Sequence, residues 1–436
     1  MAERQRIGVG VRGAGIVGGG VIRELMNHGP EWGLELRGVA VQNPANPNRE
    51  FSGPHYTTSN QLLEDPSIKI IVEAPGGVHP ASSAAFMEDA MSRGKNIVTP
   101  AKAPVALYPQ DLFDAARENG VDFQFEGTVG GGIPVVNTLR RRTKVDQVMG
   151  ITGIVNGTTN HILTQMRDRG MSFEEALSEA QTAGYAEADP SSDVEGKDAA
   201  YKLAILFMLG FNSAINPETI GRRGITDVTA ADLDFANNYI RERGEPAHDI
   251  KLLAIAKRRN DGLFEARVTP AIIRQDNPLA SVNGVFNGVK VYWELAGTHM
   301  YTGRGAGRDA TTSAVLDDIR RAADNLKKGP DELPTLDGNV LLEEPQNITR
   351  AGYIRMLLAH KPMSAGEAYM IMGESGLNIT QIKQEEEFAT VIEGDKYIPD
   401  IVVFEPADQD IVFSALEDLA LSDRVEGDPV FIPFEG

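Results

Sequence analysis

Asp198 and Lys202 stand four residues apart in the stretch KDAAYKLAILFMLGF, residues 197–211. Side chains at that spacing share one helix face. The apolar continuation predicts a buried helix, and an acid and a base at its mouth are costly unless used or paired. The pair therefore reads as catalytic or substrate-binding; an exposed i,i+4 salt bridge is the competing reading. Immediately upstream, GYAEADPSSDVEG adds Tyr185, Glu187, Asp189, Asp193 and Glu195, the densest polar constellation in the chain. Asn156-Gly157-Thr158-Thr159-Asn160 follows a strand pattern and starts a helix, so a hydroxyl there suits a helix cap.

A second motif handles phosphates. Gly13-Ala-Gly15-Ile16-Val17-Gly18 is a GxGxxG that follows a strand and opens an amphipathic helix, the context a dinucleotide fingerprint requires. Gly13 permits the tight turn, Gly15 lets backbone approach a pyrophosphate, and Gly18 lets helix and strand pack closely. Free N–H groups at the helix start favour the phosphates. The acid expected about 20 residues on, which would bind the ribose of NAD, is missing. Strand two ends in Gln42, Asn43, Asn46, Asn48 and Arg49, with no carboxylate before Glu50. With Arg12, Arg37 and Arg49 near in sequence, the pattern tilts the cofactor to NADP, with NAD possible. Farther on, Glu126-Gly-Thr-Val129-Gly-Gly131-Gly-Ile133-Pro fits no regular element. It reads either as a loop gripping a ligand or hard cation through oxygens or as a tight domain crossing.

These motifs need elements to position them. Before residue 126, short unbroken apolar runs (Leu34–Val41, Ile68–Val72) alternate with helical stretches such as Pro80–Arg93. That alternation predicts a doubly wound, Rossmann-type α/β domain with a parallel sheet. The expected plan is a dinucleotide-binding domain over residues 1–135, completed by a helix at 306–328. An α+β substrate and dimerisation domain spans 136–305, a Pro- and Gly-rich linker 329–350, and a small α+β unit 351–436. With 62 acidic against 42 basic residues, the net charge is −20, which repels nucleic acid and anionic membranes. No cysteine is present, so disulfides, thiol nucleophiles and zinc–thiolate sites are excluded. The apolar run Leu203–Phe211 is far shorter than the roughly 18 residues of a membrane span. A soluble cytoplasmic protein acting on a small molecule is expected.

At this point the motifs resemble those of the homoserine dehydrogenase family, in the same order along almost the whole chain. They are the GAGIVG turn, Val72-Glu-Ala-Pro-Gly-Gly77, Thr99-Pro-Ala-Lys102, EGTVGGGIP, GIVNGTTNHIL, GYAEADPSSDVEGKDAAYK and Gly303-Arg-Gly305-Ala-Gly307. The resemblance implies reversible NAD(P)-dependent interconversion of L-homoserine and L-aspartate 4-semialdehyde, on the route to threonine, methionine and isoleucine. It implies Lys202 as proton donor to the aldehyde oxygen, and an ammonium suits a developing alkoxide. Lys102 would stand at the cofactor–substrate junction. Glu187 and Asp198 would bind substrate, Asp198 also holding Lys202, with Asp193, Tyr185, Gly157 and Thr158 lining the pocket. Gly305 and Gly307 would return the chain to the cofactor. In the family a sodium ion sits in the glycine loop, which carries over to Glu126 and the carbonyls of Val129, Gly131 and Ile133. A homodimer or homotetramer is implied, and the absence of a kinase-like segment before GAGIVG suggests a monofunctional enzyme. An aspartate dehydrogenase and a catalytically silent amino-acid sensor are the alternatives. The family commonly has Thr-Ala-Asn-Lys where this chain has Thr-Pro-Ala-Lys102. The last 86 residues resemble an ACT domain, a βαββαβ module that binds amino acids, but His360-Lys-Pro362-Met363 replaces the usual Asp-x-Pro-Gly.

Overall fold

The computed structural model describes residues 6–41, 56–239, 248–259, 261–337, 340, 342–343 and 348–435. Two compact units result. The first comprises residues 1–155, 199–220 and 286–340; the second comprises 156–198, 221–285 and 341–436.

The first unit holds a six-stranded sheet. Its order is Tyr56–Thr57, Leu34–Ala40, Ile7–Arg12, Ile68–Glu73, Asn96–Val98, Phe123–Gln124, and every pair is parallel. This is the doubly wound order, in which ligands bind beyond the carboxyl ends of the central strands. The strands are apolar on both faces because helices cover both. Val9, Val11, Ile70 and Val72 pack with Val21, Ile22 and Leu25 of the helix Ile16–His28, and with Val315, Ile319 and Ala322 of the helix Arg308–Lys328. Three antiparallel strands complete this unit: Val148–Ile154, Phe286–Trp293 and Gly297–Arg304. The last was not legible as a strand, because most of its residues are exposed or half-buried and show no apolar alternation.

The second unit pairs the strands His248–Arg258 and Phe264–Arg274 antiparallel. HDIKLLAIAKR shows no strand alternation, since nine of its eleven residues are buried. The sheet then continues into the C-terminal segment. Val425–Glu435 runs parallel to Phe264–Arg274 (Ile272 opposite Phe434, Ile273 opposite Glu435), followed by Thr349–Ala359, Asp395–Asp408 and Ile379–Gln384, all antiparallel. With the helices Ser364–Glu374 and Gln409–Ala420, the segment is a βαββαβ unit in strand order 4-1-3-2 around its own core of Ile354, Met356, Val402, Phe404, Val412 and Leu419. VEGDPVFIPFE forms its final strand although it contains two prolines, which normally argue against a strand inside a sheet. Met363 precedes the first of these helices at φ +71°. The backbone there takes the left-handed form that favours glycine, although methionine occupies the place.

Candidate active site

The turn between Ile7–Arg12 and Ile16–His28 is tight at its first and last glycines and open at the middle one. Gly13 sits at φ +99°, and a Cβ there would lie 2.2 Å from the Ala74 carbonyl oxygen. A Cβ on Gly18 would lie 2.1 Å from the Gly13 carbonyl oxygen, so helix and turn touch only because residue 18 is glycine. Gly15 is different: no atom lies within 4 Å of where its Cβ would stand. Gly15 is also the helix N-cap, no side chain caps that helix, and its first turn holds no acid. The free N–H groups and positive dipole end thus face an open cradle, which fits a dinucleotide pyrophosphate. Ile16 is exposed beside it and Val17 half-buried.

Two of the three arginines invoked for a 2′-phosphate are engaged elsewhere. Arg12 bonds the buried Glu73 at 2.5 Å and stacks 4.2 Å over the Phe86 ring; Arg37 pairs with Glu35 at 2.7 Å. Burial raises the Glu73 carboxyl to about 7 against the lowering effect of Arg12. Arg49 and the strand tip Gln42–Glu50 lie outside the described residues.

Lys102 is half-buried at the first position of the helix Lys102–Leu107. The approach to it is held by Thr99, whose hydroxyl donates to the Glu73 carbonyl (2.7 Å) and accepts from the Ala101 N–H (3.0 Å). The glycine loop lies in the same unit. Gly130 and Gly131 take φ +72° and +55°, and a Cβ on Gly131 would lie 2.9 Å from the Arg304 and Gly305 backbone. A Cβ on Gly305 would overlap Asn287 at 1.9 Å. Gly307, at φ +107°, caps the helix Arg308–Lys328. The two glycine-rich loops therefore pack backbone to backbone. Both Glu126 carboxylate oxygens accept N–H groups, from Val136 (2.9 Å) and Asn137 (2.8 Å), at the start of the helix Val135–Arg142. Burial raises this carboxyl to about 7. The Ile133 carbonyl accepts from the Val135 N–H. Among the described residues no three His, Asp or Glu side chains gather to hold a metal.

The acid–base pair follows the predicted spacing. Asp198 and Lys202 share the helix Lys197–Phe211, and both are buried. Lys202 Nζ donates to the Val155 carbonyl at 2.7 Å. The next residue, Asn156, does three things at once. Its Oδ1 caps the helix Gly157–Arg169 by accepting from the Thr159 N–H, and its Nδ2 donates to Asp193 (2.7 Å) and Asp198 (2.8 Å). Thr158 donates to the Tyr185 carbonyl at 2.7 Å, and the Tyr185 ring meets His161 edge-on. A Cβ on Gly157 would lie 2.8 Å from the Val285 carbonyl oxygen. Thr158, Tyr185, Asp193 and Asp198 are thus gathered in the second unit, with Glu187 exposed on the same turn. Asn156 was the residue that sequence reasoning undervalued. Its one signal was its place before Gly157, where an N-cap belongs.

Comparison with known proteins decides the family. A homoserine dehydrogenase family model matches residues 134–319, and a model described as homoserine dehydrogenase, NAD binding domain, matches residues 13–126. The homoserine dehydrogenase of Pseudomonas aeruginosa is 34% identical, with 98% of both chains covered; that of Synechocystis is 36% identical, covering 86% of this chain and 88% of the relative. Among solved structures, a homoserine dehydrogenase from Thiobacillus denitrificans superposes with a TM-score of 0.85 at 32% identity, covering 99% of this chain and 98% of that one.

The chain belongs to the homoserine dehydrogenase family. It is an NAD(P)-dependent oxidoreductase acting on a CH–OH group, interconverting L-homoserine and L-aspartate 4-semialdehyde. The match to the NAD binding domain begins at residue 13, the first glycine of the GAGIVG turn. No described helix is long and apolar enough to cross a membrane.

Proposed function

We propose that Lys202 is the acid of the homoserine dehydrogenase reaction, protonating the aldehyde oxygen of L-aspartate 4-semialdehyde and taking that proton back in reverse. The nicotinamide cofactor, when bound, supplies or accepts the hydride. One observation carries the assignment: consecutive residues hold the acid and its neighbours. Val155 fixes the Lys202 ammonium through its carbonyl, and Asn156 fixes the Asp198 and Asp193 carboxylates through its amide. A positioned ammonium stabilises alkoxide charge as it develops. Asp198, one helical turn before Lys202, keeps a compensating charge on the same face. Glu187 and Asp193 offer carboxylates to the substrate α-ammonium, while Tyr185, Thr158 and Gly157 shape the pocket wall. Lys102 assists at the cofactor–substrate junction.

The cofactor is read as NADP, because no carboxylate between Gln42 and Arg49 would repel a 2′-phosphate. A sodium ion in the glycine loop would be held by Glu126 and the carbonyl oxygens of Val129, Gly131 and Ile133. The βαββαβ order of the C-terminal segment supports an ACT-like module. We read the protein as a cytoplasmic homodimer or homotetramer.

The test is Lys202→Met, which keeps an unbranched side chain of similar length. Turnover should fall by ~10²–10⁴-fold, the usual contribution of a positioned acid, while NADPH still binds. A variant retaining more than about half the wild-type rate would leave no role for Lys202 as the acid.

A further inference from the structure

The turn carrying Asp193 is braced by residues outside the candidate site described above. Behind it runs the strap 221–232. The Ile225 N–H donates to the Val194 carbonyl at 2.8 Å, one residue beyond Asp193. A Cβ on Gly224 would lie 1.9 Å from that carbonyl oxygen and 2.6 Å from Glu195 Cα, so strap and turn are in backbone contact. The strap is fastened to the sheet by Gly221–Arg222, parallel to Phe264–Arg274, and by the Arg223 N–H to the Val268 carbonyl at 2.9 Å.

Its other fastenings come from the C-terminal βαββαβ segment. The guanidinium of the half-buried Arg223 donates to the Phe431 carbonyl. Arg355 donates to the Asp227 carbonyl (2.7 Å) and to both oxygens of Asp232 (3.0 Å each), and Tyr353 donates to Asp232 at 2.7 Å. Asp232 is fully buried and also caps its own helix by accepting from the Thr229 N–H and hydroxyl. Two neighbouring strands of the C-terminal segment, Thr349–Ala359 and Val425–Glu435, thus grip a strap whose opposite edge is bonded to the substrate turn.

We infer that Arg223, backed by the Tyr353–Asp232–Arg355 cluster, is a positioning residue for the reaction: it ties the C-terminal segment to the turn that carries Asp193 and leads to Asp198, and so sets where these substrate-binding carboxylates stand. The segment is then a structural part of the substrate site. This rests on the assignment of the Tyr185–Asp198 turn to substrate.

The experiment uses full-length protein carrying Arg223→Met, which keeps the aliphatic stem and removes the grip on Phe431. KM for homoserine should rise about tenfold, since displacements near 1 Å at a site are costly. The dissociation constant for NADPH, read by fluorescence titration, should not change, because the Gly13–Gly18 turn belongs to the other unit. Arg223→Lys, which can still donate to that carbonyl, should restore most of the loss. An unchanged homoserine KM in folded Arg223→Met, or an equal loss for homoserine and NADPH, overturns the inference. If Arg223→Met does not fold, Tyr353→Phe removes a single hydroxyl donor to Asp232 and should raise the same KM about threefold; no rise counts against the inference equally. Glu187→Gln, measured in parallel, separates the two readings. An unaffected homoserine KM in Glu187→Gln refutes the substrate assignment, whereas an affected one beside an unaffected Arg223→Met refutes only the positioning role.

Discussion

Gly15→Ala separates folding from cofactor binding at a single atom. Gly15 has φ −80° and ψ −158°, an extended conformation open to any L-residue. No atom lies within 4 Å of the new methyl. Replacing a glycine without strain stabilises a protein by about 0.4–1 kcal/mol through the unfolded chain. Gly15 is also an N-cap, where alanine is the poorer residue by a few tenths to about 1 kcal/mol. The two effects nearly cancel, so the melting temperature should hardly move. Cofactor binding should suffer, because the methyl enters the space that the pyrophosphate must take to reach the helix N–H groups. Losing one hydrogen bond to a charged group costs about 1.5–3 kcal/mol, which is a roughly ten- to hundredfold weaker dissociation constant. Gly18→Ala is the control with the opposite signature: its Cβ would lie 2.1 Å from the Gly13 carbonyl oxygen, and the fold itself must yield. Fluorescence titration with NADPH and thermal unfolding of both variants provide the readout. Wild-type NADPH affinity in a folded Gly15→Ala would refute the cradle.

Three further outcomes are expected. Asn156→Ala removes a helix cap and the amide donor to a buried carboxylate, about 2–4 kcal/mol together; chemical denaturation should register it, alongside a higher homoserine KM. Asp400 is buried with Tyr369 as its donor, and burial raises its carboxyl from 3.8 to about 6. Between those values the native state holds a proton that the unfolded chain has released, so this group's contribution falls as pH rises through the window and is level above it. The difference in unfolding free energy between wild type and Asp400→Asn should therefore change by about 2 kcal/mol between pH 4 and 6.5, and a flat difference would contradict it. Asn43→Asp, at a position outside the described residues, should shift kcat/KM from NADP toward NAD; a wild type preferring NAD at least about tenfold would remove the basis for the NADP reading.

The local patterns determined what each segment could be. GAGIVG between a strand and a helix specified the cradle, because only glycine tolerates the contacts at Gly13 and Gly18. The four-residue spacing of Asp198 and Lys202 placed an acid and a base on one buried helix, and the alternation of short apolar runs with helices announced a parallel sheet. Engagements between distant residues were not legible, because a side chain's partner depends on which segments the fold brings beside it. Arg12, which in sequence looked like a phosphate ligand, is drawn to Glu73 because strands 61 residues apart lie parallel and in register. Glu126 caps a helix that the glycine pattern hid, and Asn156 reaches carboxylates 37 and 42 residues away. The C-terminal segment looked separable by its linker. Its last strand joins the sheet of the second unit through backbone pairing at Ile272 and Ile273, and hydrogen bonds of that kind leave no trace in the identity of the residues that make them.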